Sequence, residues 1–172
     1  MEYRKHNRLP EYDYSQDGYY FVTICTHNRK EYLGRIENGN MILNEYGRIV
    51  EKQWIWLSEQ YNYIQLDKFI VMPNHLHGIL VIVGNGRDRS LQKIKSLSEL
   101  IGAFKTTSSK SIHMAGLVDF HWQKSFFDHV IRNENELMRI QEYIVNNPKQ
   151  WELDVENVGA GLKPAPTVIP CK

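Results

Sequence analysis

Runs of aromatic and β-branched residues predict four strands in this chain. Such residues fill the stretch from Tyr19 to Cys25, which is typical of a strand. Ile64 to Met72 predicts a second strand and His75 to Val83 a third. Pro73 and Asn74 separate these two runs and indicate a hairpin or a bent adjacent pair. Phe126 to Ile131 predicts the last strand.

Three stretches have helical spacing of apolar residues. The first runs from about Asn44 to Gln60 and the second from about Ser98 to Ser111. A third helix is predicted to begin at Asn133, because Glu136 three residues later completes a capping-box pattern. Pro148 is expected to end this helix, since proline lacks the backbone donor that a helix interior needs.

The resulting order, β-α-β-β-α-β-α, predicts an α+β fold. A small antiparallel sheet with helices on one face is the natural packing for this order, in a ferredoxin-like sandwich with an additional C-terminal helix. We predict one domain over residues 1–151. Residues 152–172 contain no aromatic side chain and are rich in Gly, Ala and Pro, which predicts an irregular C-terminal tail.

Composition narrows the class of protein only a little. The chain has 172 residues and 42% hydrophobic residues, enough for one domain with a core. It has no apolar run long enough for a membrane span and no signal-peptide pattern. Cys25 and Cys171 form no ligand or disulfide pattern. We therefore expect a cytoplasmic protein. Net charge is +1, yet residues 84–124 carry seven Lys and Arg against three Asp and Glu.

Two histidines are candidates for metal binding. His75 and His77 flank Leu76 at the start of a predicted strand, and side chains alternate across a strand, so both imidazoles share one face. Two neighbouring imidazoles can hold a divalent cation together with water or substrate oxygens. The alternative is a chance pair of packed histidines, because the motif is short.

Tyr143 and Asn147 lie four residues apart on the third predicted helix and therefore share one face. A tyrosine hydroxyl can attack a phosphodiester and form a covalent intermediate. An unperturbed tyrosine has a pKa of about 10, so it needs assistance at neutral pH. Asn147 offers a neutral carbonyl oxygen as a further ligand. The alternative is a half-buried tyrosine followed by a polar helix stop.

Four blocks of sequence together resemble a known family. They are RLPEYDYSQDGYYFVTICTHNR (Arg8 to Arg29), VMPNHLHGILV (Val71 to Val81), WQKSFFDHVIRNENEL (Trp122 to Leu137) and YIVNNP (Tyr143 to Pro148). In this order they resemble the REP-associated tyrosine transposases, a branch of the single-tyrosine HUH transposases. The resemblance extends from about Arg4 to Trp151.

The resemblance implies an activity and its parts. His75 and His77 would be the metal pair, Tyr143 the nucleophile and Asn147 a third protein ligand of Mg²⁺ or Mn²⁺. The enzyme would be a single-stranded DNA endonuclease and strand transferase that forms a 5′-phosphotyrosine intermediate on palindromic, REP-like hairpins. The implied setting is the bacterial cytoplasm, in association with the nucleoid and without a membrane partner, as a monomer or homodimer.

Several basic side chains are candidates for phosphate contacts, because Lys and Arg follow a nucleic-acid backbone while bases stack and are read at their edges. These candidates are Arg4, Lys5, Arg8, Lys105, Lys110 and Arg132. Asp128 and His129 are candidates to support the site from the preceding strand.

Three other functions compete with this one. The first is a DNA-hairpin-binding regulator that keeps the fold without catalysis. The second is a rolling-circle initiator or relaxase, although those proteins usually have additional domains. The third is an unrelated metallohydrolase, which would need further Asp or His ligands that the sequence does not clearly supply.

The tail has an unusual property at the level of its coding. Residues 158–167, VGAGLKPAPT, can be encoded by GTA GGG GCG GGT TTG AAA CCC GCC CCT AC, in which the first half is the reverse complement of the last half. The symmetry is either that of an inverted repeat in the DNA that is translated, or a coincidence in the coding of a Gly- and Pro-containing tail.

Overall fold

Four antiparallel strands form the central sheet of this protein. A computed structural model describes residues 11–84 and 93–158, with side chains up to Leu153. The central strands are β1 (Gly18–Cys25), β4 (Ile64–Met72), β5 (His75–Ile82) and β6 (Phe127–Ile131), and they lie in the order β4-β5-β1-β6. Two helices connect them, α1 (Glu45–Gln60) between β1 and β4 and α2 (Leu97–Met114) between β5 and β6. This topology confirms the predicted ferredoxin-like α+β fold.

One face of the sheet carries the main core, under α1 and α2. Alternate residues of β1 and β5 contribute to this face and pack against apolar residues of both helices. Gly78 of β5 lies beneath Trp54 of α1, and a Cβ at this glycine would lie 2.6 Å from the indole ring. Glycine is therefore required at this position for α1 to lie close to the strand.

The opposite face is covered by α3 (Glu134–Val158). Phe21, Ile79 and Val81 of the sheet pack there against Ile140 and Ile144 of the helix. The helix begins as the capping pattern predicts, with Asn133 Oδ1 accepting a hydrogen bond from the backbone of Glu136 at 2.9 Å. The Glu136 carboxylate accepts a hydrogen bond from the backbone of Arg132, one residue before Asn133, at 2.8 Å.

The prediction that Pro148 ends this helix is wrong. Pro148 lies inside α3, which continues to Val158. Proline cannot donate to the carbonyl one turn earlier, but packing of the preceding turns on the sheet maintains the helix through this defect. The predicted boundary after Trp151 thus falls within the helix, and residues 152–158 of the predicted irregular tail are helical. Residues 159–172 lie outside the described residues.

The sequence reasoning missed a small hairpin between β1 and α1. Its strands are β2 (Gly34–Glu37) and β3 (Asn40–Leu43). Asn38 and Gly39 form the turn with φ of 52° and 69°. An Asn-Gly pair is a strong signal for such a two-residue turn, because both residues tolerate positive φ. None of the helices in the described ranges is both long and apolar enough to cross a membrane.

Candidate active site

His75 and His77 lie side by side on the face of the sheet that α3 covers. Their side chains alternate with Leu76, which points into the core on the other face. The Nε2 atoms of the two imidazoles are 3.0 Å apart. The residues are only 3% and 1% exposed, so the pair is enclosed. The sequence prediction that both imidazoles share one face is therefore confirmed.

Asn74 fixes the tautomer of His75. The amide nitrogen of Asn74 donates to the backbone oxygen of Arg29 at 3.0 Å, which leaves its Oδ1 facing His75 Nδ1 at 2.7 Å. Because Oδ1 only accepts, Nδ1 of His75 must carry the proton. The Nε2 atom of neutral His75 then presents a lone pair toward His77, as a metal ligand must.

The hydroxyl of Thr23 contacts the Nδ1 atom of His77. Strand pairing places Thr23 of β1 opposite His77 of β5, and its hydroxyl lies 2.8 Å from His77 Nδ1. A hydroxyl can donate or accept, so this contact allows either tautomer of His77. When Nδ1–H donates to Thr23, the Nε2 atom of His77 is also available as a ligand. Such partners commonly orient metal-binding histidines.

Burial keeps both imidazoles neutral. It lowers the pKa of His75 from 6.5 to about 3, with a smaller contribution in the same direction from the charge of Arg29 and an opposing one from a hydrogen bond to Asn147. Burial also lowers the pKa of His77 well below its usual value, and the neighbouring His75 adds to this effect. Neutral imidazole is the form that binds a cation.

Tyr143 and Asn147 reach the histidines from α3. The Tyr143 hydroxyl lies 3.5 Å from His77 Nε2, and the two rings are 5.3 Å apart. Phe21 of β1 packs edge-on against Tyr143 and stacks on His77, which fixes both rings. Asn147 is 6% exposed and hydrogen-bonds to His75. All four residues that the sequence predicted for the site are therefore adjacent.

The donor set fits a divalent cation. Two nitrogen ligands at about 2.1 Å in neighbouring octahedral positions lie about 3 Å apart, which is the separation of the two Nε2 atoms. Asn147 would add an amide oxygen. Within the described ranges, no cluster of three or more His, Cys, Asp or Glu forms a metal site. A cation held by His75, His77 and Asn147 would therefore have only neutral protein donors, and phosphate oxygens of a substrate would supply the negative charge.

The two residues expected to support the site lie on opposite faces of β6. Asp128 pairs with Val22 of β1, whose side chain belongs to the core under α1 and α2, so Asp128 lies on the opposite face from the histidines. Adjacent strand residues point to opposite faces, which is why Asp128 and His129 cannot both serve one site. His129 lies on the α3 face and binds Glu136 at 2.6 Å, which joins β6 to the first turn of α3.

The predicted DNA contacts differ in how their side chains are placed. Lys105 donates to the backbone oxygens of Gln123 at 2.8 Å and Ser125 at 3.2 Å, and burial lowers its pKa from 10.5 to about 8. This lysine therefore holds a loop. Lys110 and Arg132 are exposed. Arg4, Lys5 and Arg8 lie outside the described residues.

A basic groove lies between α2 and the loop that precedes β6. Its volume is about 570 Å³. We use the name basic groove for the surface whose polar and charged lining includes Lys105, Ser109, Lys110, His113, His121 and Lys124. The loop is fastened to the end of β1, where Gln123 donates to Cys25 and His27 to His121, both at 2.8 Å. Cys25 pairs with His75, so the groove adjoins the end of the sheet that carries the histidines.

Sequence reasoning missed four residues around the site. Thr23 and Asn74 have no motif of their own and are brought in by strand pairing and a turn. Trp151 packs its ring 5.7 Å from that of His75. Arg29 has a left-handed backbone with φ of 52°, and its charge is close enough to lower the pKa of His75. A positive φ at a non-glycine residue is uncommon and marks this turn for attention.

Comparisons with known proteins agree with this architecture. No model of a protein family matches the chain. A protein of Haemophilus influenzae strain Rd, itself uncharacterized, is 32% identical over 167 residues, which cover 90% of this chain and 93% of that protein.

Two solved structures are similar in fold. A REP-associated tyrosine transposase bound to a REP hairpin has a TM-score of 0.57 and 21% identity, over 88% of this chain and 74% of that one. A candidate transposase of Deinococcus radiodurans R1 has a TM-score of 0.51 and 17% identity, over 81% of this chain and 95% of that one. This chain therefore belongs to one family with the Haemophilus influenzae protein and has the fold of the REP-associated tyrosine transposases, the family that its four sequence blocks indicate.

Proposed function

We propose that this protein is a metal-dependent single-stranded DNA endonuclease and strand transferase of the HUH class, with Tyr143 as its nucleophile. The observation that carries the proposal is the position of the Tyr143 hydroxyl, 3.5 Å from the Nε2 atom of His77 and beside a histidine pair. A tyrosine hydroxyl is a weak nucleophile that a neighbouring base or metal can assist, and the paired neutral imidazoles beside Tyr143 are suited to hold such a metal.

The proposed metal ligands are His75, His77 and Asn147. A bound Mg²⁺ or Mn²⁺ would polarise the scissile phosphate and so lessen the demand on a neutral phenol. Asn74 and Thr23 orient the two imidazoles, and Phe21 holds the tyrosine ring. The guanidinium of Arg29, near His75, is suited to bind a phosphate oxygen through paired donors.

The proposed reaction exchanges one phosphate ester for another. The Tyr143 oxygen forms a bond to phosphorus, the bond from phosphorus to the 3′ oxygen breaks, and the departing 3′ oxygen gains a proton while the phenol loses one. The product is a 5′-phosphotyrosine and a free 3′ hydroxyl. Since the bonds broken and formed are alike, a second 3′ hydroxyl can reverse the step and join a different strand.

The proposed substrate is a palindromic hairpin with single-stranded flanks. The similar REP-associated tyrosine transposase is bound to a REP hairpin. In this chain the basic groove offers exposed lysines for backbone phosphates at the end of the sheet nearest His75. The groove is on the α2 face of the sheet and the histidines are on the α3 face, so a strand that contacts the groove would pass around this end of the sheet before its flank enters the histidine site.

The site is closed in this conformation. Both histidines are buried, and Tyr143, Asn147 and Trp151 of α3 lie over them. Entry of a phosphate therefore requires these side chains, or this part of α3, to move. We expect substrate and metal to favour the opened form together, because each would supply charge that the other needs.

A covalent-adduct assay tests the proposal. Single-stranded hairpin oligonucleotides with Mg²⁺ or Mn²⁺ should yield a DNA–protein adduct that withstands denaturing electrophoresis, and mass spectrometry should place it on Tyr143. Tyr143→Phe should abolish the adduct, whereas Tyr19→Phe, at a tyrosine that is 40% exposed on β1, should not. Hairpin binding without an adduct under any metal would favour the non-catalytic regulator.

A further inference from the structure

The sequence VGAGLKPAPT at residues 158–167 has a symmetry that protein structure does not demand. Taken from the ends inward, its residues form the pairs Val158 with Thr167, Gly159 with Pro166, Ala160 with Ala165, Gly161 with Pro164, and Leu162 with Lys163. In every pair the first two nucleotides of one codon can be the reverse complement of the first two of the other. They are GT with AC, GG with CC, GC with GC, GG with CC and TT with AA.

The third codon positions are free to complete the symmetry. One permitted coding is GTA GGG GCG GGT TTG AAA CCC GCC CCT AC. Its first half, GTAGGGGCGGGTTT, is the reverse complement of its last half, AAACCCGCCCCTAC, and a single G lies between them. A single strand with this sequence folds back on itself into a G/C-rich stem. One mismatched amino-acid pair would have broken the symmetry, and none does.

The symmetric segment begins where the candidate active site has already been completed. His75, His77, Tyr143 and Asn147 all precede it, and Val158 is the last residue of α3. Selection for catalysis therefore gives no reason for the pairing of these residues across an axis. Inverted symmetry is instead a property of nucleic acid, since only the DNA strand can pair with itself.

We propose that the part of the gene that encodes residues 158–167 is an inverted repeat, and that the single-stranded hairpin of this repeat is the substrate of the protein. The inference rests on the proposed endonuclease function and names the DNA on which that site acts. The G/C-rich stem would hold the strand in a fixed shape, with phosphates available to the lysines of the basic groove. The flank of the stem would place a phosphodiester at Tyr143.

The coding sequence of the gene is the first test. Three pairs of third positions are not constrained by the protein, namely Val158 with Pro166, Gly159 with Ala165, and Ala160 with Pro164, and in a fourth pair, Gly161 with Lys163, the lysine codon requires only a purine. If the repeat exists, these third positions are complementary, with a substitution in one matched by its partner. Several non-complementary pairs would overturn the inference, whatever the protein's activity.

The second test uses the full chain and three single-stranded probes. The first is the encoded hairpin with its natural flanks. The second is a hairpin in which each stem base pair is inverted, so that composition and stability are kept. The third is a pool of hairpins with randomised stems. We expect the encoded hairpin to bind roughly tenfold or more tightly than the inverted one, and to give the Tyr143 adduct preferentially.

The outcomes separate this inference from the function on which it rests. Equal binding and equal adduct with the encoded and inverted hairpins would refute the inference and leave the endonuclease intact. An adduct with the randomised pool, without any adduct on the encoded hairpin, would also refute the inference and leave the endonuclease intact. Failure of all three probes to bind or react would refute both proposals. Removal of residues 159–172 should leave the preference unchanged, because the repeat acts as DNA; loss of the preference would overturn that part of the inference.

Discussion

The Nε2 atoms of His75 and His77 lie 3.0 Å apart at the beginning of β5, and the Nδ1 atom of each imidazole contacts a polar side chain of the protein. Asn74 holds His75 at 2.7 Å, and Thr23 of the neighbouring strand holds His77 at 2.8 Å. Because Asn74 and Thr23 contact the Nδ1 atoms, the Nε2 atoms of the two imidazoles face each other. The pair is therefore arranged before any cation or DNA arrives, and this arrangement leads to the following predictions.

Removal of one imidazole should abolish metal binding while the domain stays folded. His77→Ala deletes a buried ring and should cost about 1–3 kcal/mol of unfolding free energy. Mn²⁺ binding, followed by electron paramagnetic resonance or calorimetry, should be lost together with the DNA adduct. Ile79→Ala is the matched control, because Ile79 is fully buried on the same face of the same strand. If His77→Ala retained Mn²⁺ binding, the ligand assignment would be wrong.

Loss of the Thr23 hydroxyl should weaken the metal site without unfolding the protein. Thr23→Val keeps the shape of the side chain but leaves His77 Nδ1 without its partner. Removal of such an orienting partner typically lowers metal affinity by about 10–100-fold. Calorimetric titration with Mn²⁺ measures the change. Thr107→Val, whose hydroxyl bonds only to carbonyls of α2, serves as the control and should leave affinity unaltered.

A negative charge at position 147 should strengthen metal binding in the absence of DNA. The proposed ligands His75, His77 and Asn147 are neutral, so a bound cation would gain no charge compensation from them until a phosphate is present. Asn147→Asp supplies a carboxylate beside His75, and we expect Mn²⁺ affinity to rise at least tenfold. Metal-free Asn147→Asp should melt at a lower temperature, since a buried carboxylate without a cation is unfavourable. An unchanged affinity would argue that Asn147 is not a ligand.

Acid should destabilise the metal-free protein at a pH where exposed histidines have little effect. The pKa of His75 falls from 6.5 to about 3 on folding, mainly through burial. Between these values the unfolded chain binds the proton and the folded chain does not, so this stability is present above pH 6.5 and is lost as pH falls below it. The slope reaches at most about 1.4 kcal/mol per pH unit for each such group.

Denaturant titrations in the presence of a chelator measure this dependence. His77→Leu removes one of the two depressed groups and should flatten the slope between pH 6.5 and pH 4. Ile79→Ala, at a buried apolar residue on the same face of β5, is the control for lost packing and should leave the slope unchanged. A native slope that persisted in His77→Leu would show that other groups cause the acid sensitivity.

Exposed lysines of the basic groove should contribute to hairpin binding through phosphate contacts. Lys110→Glu and Lys124→Glu should each weaken binding severalfold, with less effect in high salt. If each lysine neutralises one phosphate, the double variant should reduce the slope of log affinity against log salt by roughly 1.5. Lys52→Glu, at an exposed lysine of α1 outside the groove, is the matched control. Equal losses in all three variants would indicate only a general charge effect.

Local patterns were sufficient to predict most of the elements and the faces on which the candidate site residues lie. Alternation along β5 places His75 and His77 on one face, and a spacing of four places Tyr143 and Asn147 together on α3. Both rules depend only on neighbouring residues, so the sequence carries them without knowledge of the fold. The Asn38–Gly39 pair is likewise a local pattern, and it could have predicted the hairpin of β2 and β3.

Tertiary structure decided every contact between residues far apart in the chain. Thr23 reaches His77 because β1 pairs with β5 in one register, and Tyr143 reaches His77 because α3 crosses the face opposite α1 and α2. Packing of α3 on the sheet also maintains this helix through Pro148. Contacts of α2 with the loop before β6 occupy Lys105, and the pairing of β6 with β1 places Asp128 on the face opposite the histidines. Local propensity fixes which face a side chain occupies within its own element. Only the burial of one element against another determines what that face meets.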